Sequence, residues 1–142
     1  MRYKKTNKGY IIRLLKNENL IDELTNFCSE NKIQSGVFYG IGAVLEAELG
    51  FYHLDRKEYE FKKISKPLEI VSLTGNIALV DNKPFLHIHT VLSDVDFTCV
   101  GGHLKEAVVG ATCEVYLFDF EEAIERVYDE EIGLKLLNCD MK

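Results

Sequence analysis

Ala43-Val-Leu-Glu-Ala-Glu-Leu-Gly-Phe51 decides the fold class. Ala43, Leu45, Ala47, Leu49 and Phe51 fall on one side, and Glu46 and Glu48 on the other. That spacing has period two, so it predicts a half-buried antiparallel strand rather than a helix. The same period recurs downstream. Tyr59 and Phe61 alternate with Glu58, Glu60 and Lys62, and 68–73, 77–80, 85–92 and 111–118 are further apolar strand candidates. Asp81-Asn82-Lys83-Pro84 has turn chemistry between two of them. Just upstream, Gly40-Ile41-Gly42 lacks the third glycine of a phosphate-cradling loop and opens onto a strand, so it reads as a tight backbone crossing or a bulge.

Upstream again, 9–15 (GYIIRLL) suits a strand, and Lys16-Asn-Glu-Asn19 is a capping cluster. Leu20, Ile21, Leu24, Phe27 and Cys28 then trace one helical face, with Asp22 and Glu23 in the first turn where the helix dipole favours acids. This helix should end near Asn31–Lys32. Residues 121–128 fit either a helical turn or a strand, and 129–133 a turn before a last short strand at 134–137. The expected fold is α+β: one main helix packed on a largely antiparallel sheet that curls towards a barrel.

The 142 residues fit one domain, and 46% hydrophobic with 28% charged residues excludes a disordered chain. At this length the core needs no metal or disulfide to hold it. Four cysteines (28, 99, 113 and 139) form no CxxC pair; Cys28 and Cys113 read as small buried hydrophobes. No signal peptide and no 18-residue apolar run is visible, so the expectation is a cytoplasmic protein with reduced thiols and no membrane partner. A net charge of −6 argues against a stand-alone DNA clamp. The charge is uneven: residues 1–66 carry 12 basic and 9 acidic groups (+3), residues 67–142 carry 5 and 14 (−9). Arg2, Lys4, Lys5 and Lys8 make the start of the chain either a solvated terminus or an arm for an anionic partner such as DNA.

Three of the four histidines lie within 17 positions: His87, His89 and His103. Period-two geometry puts His87 and His89 on one face, beside Phe85 and Val91. Their ring nitrogens can converge on one ion at about 2.0–2.1 Å. His103 follows Gly101-Gly102, where a sharp bend would let it swing back as a third ligand. Three neutral imidazoles would leave an open position on a divalent ion, the arrangement of catalytic rather than structural zinc. The alternative is a set of hydrogen-bonded histidines without an ion. His53 stands apart from this group. Asp94, Asp96 and Glu114 are acidic candidates to orient an imidazole; Glu114 is also a candidate catalytic base that takes a proton from bound water. Cys99 lies near in sequence but outside the ligand spacing.

Together, SGVFYGIGAV (35–44), PLEIVSLTGNIAL (67–79), KPFLHIHTVLSD (83–94) and VGGHLKEAVVGATCEVYL (100–117) resemble the PPC (plants and prokaryotes conserved) domain over nearly the whole chain. The resemblance implies an α+β homotrimer, with 1–7 as a basic N-terminal arm, 8–137 as the domain and 138–142 as a C-terminal tail. In plants the domain follows AT-hooks and mediates contacts between proteins, while single-domain prokaryotic members carry a DNA-binding label. This chain has no AT-hook. Its three histidines resemble the prokaryotic, metal-binding branch. The reading is therefore a metal-binding homotrimer, most simply with zinc at His87, His89 and His103, and with a DNA-associated or regulatory role. The alternative is a metal-dependent enzyme acting on a small molecule.

Overall fold

Nine strands and one helix follow one another along residues 1–139, the part of the chain described by the structure, a computed structural model. They are β1 (Arg2–Thr6), β2 (Gly9–Leu15), α1 (Leu20–Glu30), β3 (Gly36–His53), β4 (Glu58–Ile64), β5 (Leu68–Val80), β6 (Lys83–Ser93), β7 (Cys99–Asp119), β8 (Arg126–Asp129) and β9 (Leu134–Leu137). Seven strands form one antiparallel sheet in the order β1-β2-β7-β6-β5-β3-β4. A further β3–β7 pairing curls that sheet round. The α+β expectation holds in a sheet-dominated form: one short helix against a mostly antiparallel sheet.

The helix forms where its capping chemistry lies. Asn19 accepts hydrogen bonds from the backbone N–H groups of Ile21 and Asp22, satisfying two donors that the first turn leaves free. Leu20, Leu24, Phe27 and Cys28 are buried against β6 and β7. Each large side chain so covered contributes roughly 1.5–3 kcal/mol. The opposing sheet face supplies Ile12, Leu14, Ile88, Leu92, Val109, Cys113 and Val115, all at most 1% exposed. Burial pushes the Cys28 and Cys113 thiols up to about 12, as expected of cysteines that act as small hydrophobes.

The alternation at 43–51 is real but not strict. Register shifts at Gly42/Val44 and Val44/Glu46 turn Val44 into the core and leave Ala43 and Leu45 half-buried. Each such bulge puts two residues against one and interrupts period two. Gly40-Ile41-Gly42 is also a bulge, against β5. Asp81 and Asn82, with φ of 52° and 61°, form a two-residue hairpin between Val80 and Lys83. The open reading at 121–137 resolves into the β8–β9 hairpin, tethered to β5 by the Leu79 N–H donating to the Ile124 carbonyl.

Arg2–Thr6, read as part of a basic arm, is the edge strand β1 on β2. Its Tyr3 packs edge-on against Phe27, 4.9 Å between ring centroids. Of the tail at 138–142, residues 140–142 lie outside the described residues. No helix among the described residues is long and apolar enough to cross a membrane.

Candidate metal centre

His87 and His89 sit on β6 as period two requires, two residues apart on the face away from α1. Ile88, Thr90 and Leu92 fill the buried side between and beyond them. His103 reaches them by a different route from the one the sequence suggests. Gly101 and Gly102 make no bend: β7 runs straight through them, and His103 pairs directly opposite His89. Residues directly opposite in an antiparallel pair share a face, so all three imidazoles project together. The glycines serve close packing of strands instead. A Cβ at Gly101 would lie 2.9 Å from the Thr90 carbonyl oxygen, and one at Gly102 would lie 2.8 Å from that of Gly50.

One ligand nitrogen from each of the three rings lies within 4.8 Å of the other two. The ring centroids are 5.1, 5.3 and 5.6 Å apart, a nearly equilateral triangle. His87 Nε2 and His89 Nε2 are 3.2 Å apart. Two nitrogens held by one tetrahedral ion at about 2.05 Å stand about 3.3 Å apart, so this spacing fits a shared cation. The donor set fits as well. His103 Nδ1 is buried with no hydrogen-bond partner among the described residues, so no hydrogen bond there competes with an ion for the ring. Burial, and to a lesser degree Arg126 and the other two rings, pushes the His87 pKa down to about 4. His103 is lowered by burial and then by His89. Both therefore present neutral imidazoles at pH 7, the ligating form.

The acidic candidates go elsewhere. Glu114 is exposed on β7, opposite Arg13 of β2 and Ile41 of β3. It lies eleven residues beyond His103, on the order of 30 Å along an extended strand. Within one chain it neither orients an imidazole nor reaches an ion. Asp94 organises the β6–β7 hairpin instead, accepting from Lys66 Nζ and from the Asp96 and Thr98 backbone N–H groups. The Lys66 hydrogen bond leads the effects that lower its pKa. His53 pairs with Glu60 at 2.8 Å, and Cys99 stands exposed opposite Ser93, outside the three-histidine group.

Arg2, Lys4, Lys5 and Lys8 are all exposed. Alternation along β1 sends Arg2 and Lys4 to one side and Lys5 to the other, over the Tyr10 ring at 5.6 Å. Lys8 occupies the turn before β2.

Three neighbours of the centre escape sequence reasoning. Tyr59 of β4 lies against His103, 4.8 Å between rings. Asn76 of β5 faces His87 across the ladder, and Arg126 at the start of β8 donates to it. Tyr59 looked like any alternating strand residue, and Arg126 carries no motif.

A family profile described as the Plants and Prokaryotes Conserved (PCC) domain matches residues 1–121. The fold is similar to that of a protein from Bacteroides thetaiotaomicron provisionally called a DNA-binding protein, with TM-score 0.94, 33% identity and 96% of each chain covered. It is also similar to a metal-containing protein from Archaeoglobus fulgidus, with TM-score 0.86 and 38% identity over 96% of this chain and 99% of that one. Over 134 residues, 92% of this chain, it is 29% identical to the bifunctional protein GlmU of a Synechococcus species, and spans 20% of that relative's length.

Proposed function

The chain belongs to the Plants and Prokaryotes Conserved domain family, and from that premise we propose that it is a member that holds one divalent cation, zinc, between His87, His89 and His103. The observation that carries this reading is the set of three histidines on one sheet face, with one ligand nitrogen from each within 4.8 Å of the other two. The metal-containing relative, 38% identical, supports it. Three neutral nitrogen ligands leave a fourth position for water or a small ligand. When bound, the ion would supply Lewis-acid character there. The chain's own contribution is to keep three imidazoles neutral, fixed and turned to one point.

The functional unit in this reading is a homotrimer in the cytoplasm. Its support is the histidine-bearing sheet face, where Ile11, Val37, Tyr39, Phe85, Val91 and Tyr116 are each between 38% and 51% exposed. Ile11, Tyr116, Tyr39 and Val37 adjoin one another across β2, β7 and β3, and exposed apolar surface of that kind marks an interaction site. With 1–7 as a basic edge segment, 8–137 as the domain and 138–142 as a tail, a DNA-associated role follows the provisional name of the Bacteroides relative. The net charge of −6 limits that role to the Lys/Arg-rich edge or to a DNA-bound protein partner. Glu114 serves as a catalytic base only if a neighbouring copy delivers it.

Elemental analysis of protein purified without a histidine tag tests the central claim. About one zinc per chain in the wild type, and almost none in His89→Ala or His103→Ala, is the expected result. A wild type with near-zero metal, unchanged in those variants, overturns it.

A further inference from the structure

Arg126 is only 9% exposed, yet no carboxylate among the described residues pairs with it. Its Nη1 donates to the Lys135 carbonyl at 3.1 Å and its Nη2 to Asn76 Oδ1 at 2.5 Å. Its Nε is buried with no partner among the described residues. The guanidinium lies over the Phe85 ring, 5.4 Å from its centroid. Both supports adjoin the histidines: Asn76 is directly opposite His87, and Phe85 precedes it by two on the same face of β6. Through Asn76 and Phe85, Arg126 thus brings a fixed positive charge to the edge of the metal centre.

That charge needs an explanation. Burying an unpaired ion is costly, and a guanidinium cannot shed its proton to avoid the cost. A divalent ion held by three neutral imidazoles would deepen the problem, since it adds a second cation nearby and no carboxylate among the described residues pairs with Arg126. An anion at the same spot would neutralise both.

We propose that Arg126 and the three-histidine centre together form a binding site for a small anionic ligand, a carboxylate or phosphate, held between the ion and the guanidinium. The inference rests on the metal reading and deepens it by naming the ligand class. Arg126 is the specificity-determining residue: the β9 carbonyl and Asn76 fix the side chain with two of its five N–H donors, and the others, the unpartnered Nε–H among them, are left for a ligand. A charge-assisted hydrogen bond from guanidinium to an anionic oxygen is among the stronger polar contacts available to a ligand.

The test uses full-length protein loaded with Co2+, whose visible absorption reports the ion's ligands. Acetate and inorganic phosphate are titrated as anionic probes and imidazole as a neutral one, against wild type, Arg126→Lys and Arg126→Gln. Cobalt content and melting curves check that each variant is folded and loaded. At full loading, Arg126→Gln should bind acetate, phosphate or both about 10–100-fold more weakly than wild type, with Arg126→Lys in between and imidazole affinity unchanged. A response to acetate alone assigns a carboxylate ligand, and one to phosphate alone a phosphorylated ligand. If Arg126→Gln does not fold, wild type against Arg126→Lys carries the same comparison, because lysine keeps the charge and loses the fork. Equal anion affinities in all loaded proteins, or a parallel loss of imidazole, overturn the proposal and leave the metal reading intact. Failure of the wild type to take up Co2+ overturns both.

Discussion

The two ends of β7 make opposite use of the same kind of strand. At its start, Gly101, Gly102 and His103 pair with β6, and His103 also pairs with Gly50 of β3, so three backbones crowd together and a half-buried cluster of rings forms above them. Towards its far end, Glu114 also lies between two strands, β2 and β3, but its side chain stands in solvent on the open face. Both ends are fully paired, so strand pairing alone does not create a site. Glycine permits close approach at both ends, since a Cβ at Gly40 would lie 2.7 Å from the Glu114 carbonyl oxygen, so the difference is the neighbouring strand: β6 carries ring nitrogens in register with His103, and nothing similar faces Glu114.

The largest effect expected from breaking this comparison is at Gly102. In Gly102→Val the new Cβ would start 2.8 Å from a backbone oxygen, which cannot rotate away as a flexible side chain can. β7 and β3 would have to separate just where His103 is aligned with His89. Overpacking of this kind costs roughly 1–3 kcal/mol. A urea midpoint lowered to that extent, together with lost metal content, is the expected outcome. Ala111→Val, at an exposed position near the other end, should stay within about 0.5 kcal/mol of wild type and keep its metal. Equal effects at the two positions would refute the claim that the histidine cluster depends on the packing of β7 against β3 at Gly102.

Much of this contrast was legible in the sequence. The face shared by His87 and His89 follows from period two, and the helix follows from Asn19 and the spacing of Leu20, Leu24, Phe27 and Cys28. What was not legible depends on how far a strand continues. Gly101-Gly102 offers the chain freedom to turn, but ladder bonds to β6 on one side and to Gly50 on the other keep it extended. That continuity brings His103 to the cluster and carries Glu114 away from it. Arg126 was hidden for another reason. Its place depends on a hairpin docking against β5, with Arg126 reaching a residue 50 positions earlier, a contact no local pattern encodes.

A smaller, pH-dependent effect should sharpen the comparison. In the metal-free protein the His87 pKa falls from 6.5 to about 4, mainly through burial. Between those values the unfolded chain binds a proton that the folded chain refuses. Protonation therefore favours unfolding. The contribution of His87 is fully present above about pH 6.5 and is lost as the pH falls towards 4. Because the ring is only half-buried, we expect on the order of 1–2 kcal/mol over that range. Urea titrations of protein stripped with EDTA, at pH 7 and pH 5, measure it, and His87→Asn should remove that share of the slope. A variant with the wild-type slope would show that His87 is not where this pH sensitivity resides.

The smallest expected effect belongs to Glu114, and it is informative for that reason. The carboxylate is exposed, and β7 carries it away from the ring nitrogens. Glu114→Gln keeps the size and removes only the charge. In a single chain it should therefore change neither metal content nor ring geometry, and stability should stay within about 0.5 kcal/mol. Metal analysis and a melting curve on the same preparation are sufficient to check this. Unchanged metal content leaves the three histidines as the whole protein ligand set and assigns Glu114 to the solvated face. A clear loss of metal would have only one structural route, because no rotation of the side chain spans eleven residues of strand. It would mean that a second copy places its Glu114 beside the histidines of the first, and the site would then have to be described as shared between chains.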